Sequence, residues 1–337
     1  MTKTFKIRPP YGYAYCGVAE SAFILAYFWN VPTKGPQLSD FLSRVASAPI
    51  SWGICEVPGW GEMLPTERVL SEMKGLGFTA TELGAPGFLP SDPASVKDEL
   101  ANYGMQLLGG FTPVVVHDKS QRQATIDSAT ATAKLFQIAG ATKFVSAAVQ
   151  DWDWSLPRAL SVDEQKHAVE MFGIIDEICQ EHGLDQVLHP HVQTIVETKA
   201  DMHRFLDSCD VKWCLDTGHT AIGGQDPVQF AKDAMERVGH VHLKDVQLSM
   251  VPKVLSREVT LMAATQAGLF TPLGQGDVDI MGVIQTLENA GYQGWYVIEQ
   301  DTALTSGFPA EGEGPVHQVA TSMDYLRNTV APTLVSK

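Results

Sequence analysis

The amino-acid sequence predicts an α/β protein built as a single (β/α)8 TIM barrel, preceded by an N-terminal extension. Three observations carry that expectation. From about residue 46 onward, short apolar runs alternate with amphipathic stretches, the pattern of strands each followed by a helix. Eight such units fit into roughly 280 residues, the length of one closed barrel. Several apolar runs also end on polar side chains: "VKWCLD" on Asp216, "GHVHLKD" on His242, Lys244 and Asp245, and "GWYVIEQD" on Glu299 and Asp301. In a parallel barrel the strand C-termini line one mouth, and the chemistry sits there.

The units follow in order. "SAPISWG" reads as the first strand, and "LPTERVLSEMKGLG" as a helix with a glycine stop. "FTATELG" is the second strand, and "DPASVKDELANYG" opens its helix with Asp-Pro. The third unit is "MQLLGGFTPVVVH" with the helix "QRQATIDSATATAKLFQIAG", and the fourth is "TKFVSAAVQ" with "SVDEQKHAVEMFGIIDEICQEHG". "QVLHPHV" precedes "KADMHRFLDSC", and "VKWCLDTGH" precedes "DPVQFAKDAMERVG". "HVHLKDV" enters a long excursion over about 247–278, then helix "DIMGVIQTLENAGY" and strand "GWYVIEQD" complete eight units. A helix near 315–330 seals the barrel. No G-x-G-x-x-G follows a first strand and no G-x-x-x-x-G-K-[ST] occurs, so an open nucleotide-binding sheet loses support. The glycines of "GGQD" and "GQGD" read as loop glycines.

Composition narrows the function. The 337 residues are 45% hydrophobic and 19% charged, as in a soluble globular protein. With 24 Lys and Arg against 39 Asp and Glu, the formal charge is −15. That balance repels nucleic acid and anionic membrane, so neither is an expected partner; a small neutral substrate is not repelled. The five cysteines (Cys16, Cys55, Cys179, Cys209, Cys214) show no repeated spacing and read as reduced thiols of a cytoplasmic protein, Cys214 as core.

Residues 1–45 are expected to be an accessory extension and 46–337 the catalytic barrel. Lys3, Lys6 and Arg8 precede "AYCGVAESAFILAYFW", which imitates a signal peptide, but Glu20 interrupts an apolar run too short to span a bilayer. The extension is read as packing on its own barrel, with a partner-binding element as the alternative. A homo-oligomer and a partner subunit both stay open.

The candidate site comes from the strand ends: His189 and His191 in "LHPHV", Asp216, His242, Lys244 and Glu299. Strand alternation points positions i and i+2 the same way, so His189 and His191 share a face, as do His242 and Lys244. Imidazoles with two carboxylates suit Mn²⁺, Co²⁺ or Zn²⁺, whereas Mg²⁺ alone would favour oxygen-only ligands. Lys244, a cation, is expected to stabilise an oxyanion or to pair with Asp216 or Asp245. Earlier strand ends add Trp52, Glu56, Glu82, His117, Asp151 and Trp152, and His219 follows Asp216. Aromatic rings beside carboxylates suit a sugar-like ring. Trp60 and Trp154 read as loop packing.

Several long motifs resemble one family. "APISWGICEVPGWG", "TATELGAPGFLP", "HPHVQTIVET", "CLDTGHT", "HVHLKDV", "LFTPLGQGDVDI" and "GYQGWYVIEQD" look like inosose (2-keto-myo-inositol) dehydratases of inositol catabolism. These are members of the xylose-isomerase-like sugar isomerase/epimerase barrels, and the resemblance runs from about residue 46 to 330. It implies a Mn²⁺ site, with Co²⁺ or Zn²⁺ as alternatives. The wider superfamily binds metal through Glu, Asp, His and Glu, and Asp216, His242 and Glu299 match the last three. His189 falls at the first position and His191 at a nearby acid/base position, although the two can exchange roles. The implied reaction removes water from a β-hydroxy ketone. A metal on the ketone oxygen stabilises the enolate, Lys244 assists, and His191 or Glu82 moves protons. Trp52, Glu56, His117, Trp152 and His219 are the expected substrate-binding residues. The same barrel also supports a keto-sugar isomerase or epimerase, or a lyase acting on a 3-keto glycoside.

Overall fold

Parallel strands curl into a closed barrel in the computed structural model, which describes residues 38–334. The expectations placed on residues 1–37, including the signal-like run and Cys16, lie outside the described residues. The strands are β1 (Val45–Ser47), β2 (Ala80–Thr81), β3 (Gln106–Leu107), β4 (Phe111–Val114), β5 (Lys143–Ala148), β6 (Asp185–Leu188), β7 (Lys212–Asp216) and β8 (Val238–Leu243). An antiparallel pair, β9 (Asp245–Val246) and β10 (Phe270–Thr271), lies in the excursion, and β11 (Tyr296–Ile298) comes last. The main sheet runs β3-β2-β1-β11-β8-β7-β6-β5-β4. Its two ends are halves of one stretch, "QLLGGFTPV", so the sheet closes on itself at eight positions.

Two strand expectations change in detail. The third strand is broken at Gly109 and Gly110, where a Cβ on Gly109 would stand 2.4 Å from the Lys143 carbonyl oxygen. Hydrogen bonds still cross the break, from Leu83 N to Gly109 O and from Lys143 N to Leu108 O, both 2.9 Å. The first strand ends at Ser47, and Pro49–Trp52 forms a 3₁₀ turn rather than a strand. Pro49 has no N–H for the ladder and its fixed φ favours the turn.

The helices are α1 (Leu38–Ser43), α2 (Thr66–Leu76), α3 (Pro93–Asn102), α4 (Arg122–Ala139), α5 (Val162–Glu181), α6 (Lys199–Ser208), α7 (Thr217–Ile222), α8 (Pro227–Asp233), α9 (Val251–Leu255), α10 (Leu261–Gln266), α11 (Ile280–Asn289), α12 (Pro315–Tyr325) and α13 (Ala331–Leu334). Their starts are written in the sequence. Asp92 accepts from Ser95 N, and Ser161 with Glu164 and Thr198 with Asp201 form capping boxes. Helix α1 precedes the expected barrel start, yet Phe41 packs edge-on against Tyr296 of β11 at 5.3 Å. Arg44 adds an ion pair to Glu288 at 2.8 Å. No helix of the described residues is long and apolar enough to cross a membrane.

The core lies between strands and helices, where Trp52, Trp213, Phe136, Phe144, Phe172, Phe205 and Phe230 are buried. A second cluster, with Val192, Ile222, Val246, Val254, Leu269 and Phe270, anchors the excursion beside the mouth. Asp245 ties it down by accepting from the backbone N–H groups of Val246, Gly274, Gly276 and Val278. That contact explains Gly276 of "GQGD", where a Cβ would meet the Asp245 carboxylate, while a Cβ on Gly274 would run into the Tyr325 ring.

Candidate metal and active site

Alternation by two sets the layers inside the barrel. Val145, Val187 and Cys214 form one apolar patch in its interior. Two residues further along their strands come His189 and Asp216, joined by Glu82, His242 and Glu299. One step higher stand Lys244 and Asp301.

Ligand atoms of His189, Asp216, His242 and Glu299 all lie within 4.8 Å of one another. His189 Nε2 is 3.3 Å from Asp216 Oδ2, and His242 Nδ1 is 2.6 Å from Glu299 Oε2. The other edge of the His242 ring faces Glu82, with Nε2 to Oε1 at 2.9 Å. His240 contacts that same oxygen at 2.8 Å.

Lys244 stands over this layer. Its Nζ donates to Asp301 Oδ1 at 2.8 Å and lies 3.4 Å from Glu299 and 3.6 Å from Asp216. Its Nζ is also 3.2 Å from His219 Nε2 and 5.0 Å from the centre of the Phe270 ring. Of the two ion-pair partners expected for it, Asp216 is in reach, while Asp245 is engaged by backbone N–H groups. The "TGH" turn makes the placement possible. Thr217 Oγ1 bonds both backbone groups of Lys244, and a Cβ on Gly218 would stand 2.6 Å from Lys244 Cγ.

Electrostatics follow from burial and neighbours. Burial works against the Lys244 ammonium, but Asp301, Glu299 and Asp216 more than offset it and hold the group above its ordinary value. Burial would raise the Glu82 carboxyl, yet His242 and His240 beside it bring it down to about 2. Asp301 is pushed up to about 6 by burial, with Lys244 pulling the other way. Burial, His189 and Lys244 lower the His191 imidazole to about 3. His191 Nδ1 lies 2.6 Å from the Val192 carbonyl oxygen, which only accepts, so Nδ1 carries the proton and Nε2 of the neutral ring is free to accept one.

The structure sorts the remaining candidates. His191 and His219 join the cluster, their ring centres 3.9 Å apart. Trp52 does not: it is buried in the core and its indole N–H donates to Glu72 on α2. Glu56 is exposed on the loop after the first 3₁₀ turn. His117 is buried against Gln150, and the indole N–H of Trp152 donates to Gln121. Trp60 packs as expected, donating to the Thr302 carbonyl. Trp154 departs from its loop-packing expectation. It stacks on Phe111 with centres 5.9 Å apart and meets the edge of His191 at 6.1 Å. Both rings remain more than a third exposed. Sequence reading named Asp301 as a polar strand end without giving it a role and passed over His240 and Phe111; the two-residue spacing of His240, His242 and Lys244 signals the first of these.

With this fold and cluster in view, the chain matches the xylose isomerase-like TIM barrel family over residues 70–329 and belongs to it, among the inosose dehydratases. An inosose dehydratase of Geobacillus kaustophilus is 31% identical over 275 residues, 77% of this chain and 89% of that protein. Among solved structures, the probable 3-DHS dehydratase AsbF of Bacillus anthracis superposes with a TM-score of 0.65 at 17% identity, covering 85% of this chain and 99% of that one. An L-ribulose 3-epimerase gives 0.63 at 16% identity, covering 87% and 98%. At such identities these two show the fold alone.

Proposed function

We propose that the protein is a divalent-metal-dependent dehydratase that removes water from a keto-inositol such as 2-keto-myo-inositol. One observation carries the reading: His189, Asp216, His242 and Glu299 converge beside the Lys244 ammonium at the barrel mouth. The inosose dehydratase relatives supply the substrate class. The residues fit a metal. His242 Nδ1 and Glu299 Oε2 are both buried without a hydrogen-bond partner, although they stand 2.6 Å apart. Two imidazoles with two carboxylates favour Mn²⁺, with Co²⁺ or Zn²⁺ as substitutes. When bound there, such an ion supplies Lewis-acid polarisation of a ketone oxygen.

The chain's own residues do the rest. Lys244 stays protonated and offers its charge where the ketone oxygen becomes negative. His191 Nε2 takes the proton from the carbon next to the ketone. Protonated there, the ring returns that proton to the hydroxyl that leaves as water. The Phe111–Trp154 ledge presents apolar ring faces to the C–H face of a cyclitol, and His219 contacts its hydroxyls. Glu56, His117 and Trp152 are kept as outer substrate contacts. Four described cysteines are free thiols, which suits a cytoplasmic enzyme.

The test is to chelate the protein, reload it with Mn²⁺ and add 2-keto-myo-inositol, following the ultraviolet absorbance of the enone. The expected outcome is metal-dependent growth that His242→Ala abolishes. Bound metal without growth would move the assignment to epimerisation or glycoside cleavage on the same site.

A further inference from the structure

Glu82 was the one carboxylate at a strand end whose expected role was moving protons, and its surroundings argue otherwise. It is 4% exposed, and its Oε1 is engaged by two imidazoles, His240 Nε2 at 2.8 Å and His242 Nε2 at 2.9 Å. The His242 ring stands between Glu82 and the cluster, because its Nε2 edge meets Glu82 and its Nδ1 edge meets Glu299. Glu82 would have to reach past that ring to touch a substrate held by the cluster. His240 is completely buried on β8, two residues before His242, and Glu82 is its hydrogen-bond partner.

We infer that Glu82 and His240 are positioning residues, which fix the tautomer and tilt of His242 so that its Nδ1 lone pair is presented to the metal. A carboxylate oxygen only accepts, so each imidazole must carry its proton on Nε2. For His242 that leaves Nδ1, on the edge shared with Asp216 and Glu299, as the nitrogen that gives up its proton when a cation binds. The negative charge on Glu82 also raises the basicity of the ligating nitrogen, as a carboxylate behind a metal-bound histidine does. His240 holds Glu82 in place by donating to the same oxygen, so the carboxylate cannot turn away when His242 binds a cation. This assignment rests on the proposed metal site and not on which reaction the site performs.

The experiment therefore measures metal binding without substrate. Chelated full-length protein is titrated with Mn²⁺ against a chromophoric chelator, comparing the wild type with Glu82→Gln and His240→Phe. The expected result is a loss of about 10- to 100-fold in affinity for Glu82→Gln, as for other carboxylates behind metal-bound histidines, and a smaller loss for His240→Phe. Wild-type affinity in a folded Glu82→Gln protein overturns the inference. A measurement on the wild type needs no variant to fold: nitrogen NMR of ring-labelled histidines in the Zn²⁺-loaded protein. It should show His242 protonated on Nε2 and bound through Nδ1. Binding through Nε2 would overturn the inference equally.

Discussion

Lys244 reaches its three carboxylates across residue 218, which has no side chain. A methyl group at 218 would lie 2.6 Å from Lys244 Cγ and 2.9 Å from its Cβ and Cδ. The clash falls on the near end of the buried Lys244 side chain, so relieving it shifts the lysine backbone and the ammonium together. Gly218→Ala is accordingly expected to lower kcat by about 100-fold, the cost of misplacing a catalytic group by roughly 1 Å, and to lower the melting temperature as well. Steady-state kinetics with a thermal melt checks both. At this scale the sequence told most where alternation applied. Asp216, His242, Lys244 and Glu299 could be placed because each ends an apolar run, and the i+2 rule put His191 beside His189. Trp52 and Trp154 were exchanged in role because an indole near a strand end can turn either way. A partner such as Glu72 or Phe111, distant in sequence, decides which.

Elements hold the mouth steady by tying their opposite ends. At the start of three neighbouring strands, Asp185 of β6 accepts from Lys143 of β5 at 2.6 Å and from Lys212 of β7 at 2.5 Å. Burial would raise the Asp185 carboxyl, but those two lysines hold it below its ordinary value. A depressed value in the fold means the stabilisation is present above the unfolded value, near 3.9, and is lost as pH falls through the lower folded value. Asp185→Asn should therefore cost about 1 kcal/mol or less at pH 7, as exposed pairs do. The gap from wild type should narrow as pH falls below the unfolded value, about 3.9, and vanish only below the lower folded value. Urea midpoints taken in steps down from about pH 7 follow it. Helix limits were legible because caps are local: Asp92, Ser161 and Thr198 bond within a few residues. Strand limits were less so. Pro49 ends its ladder by its own missing N–H and fixed φ, but the Gly109–Gly110 break depends on Lys143 of the neighbouring strand.

The described residues form a barrel whose interior changes from apolar to ionic along one axis. Its order of elements was legible from periodicity, since each strand must bury both faces and each helix one. The Asp245 clasp on the excursion and the Glu82–His240 pair were not, because both depend on closure bringing distant segments together. The acidic surface implied by the charge of −15 suits a neutral polyol rather than a polyanion. Loss of water is tested most directly by the composition of the product, by mass, after turnover of 2-keto-myo-inositol in heavy water by the Mn²⁺-loaded protein. The expected product has one oxygen fewer than the substrate, lost as water. A product of unchanged skeleton that has gained deuterium at carbon would contradict it and establish an epimerase instead.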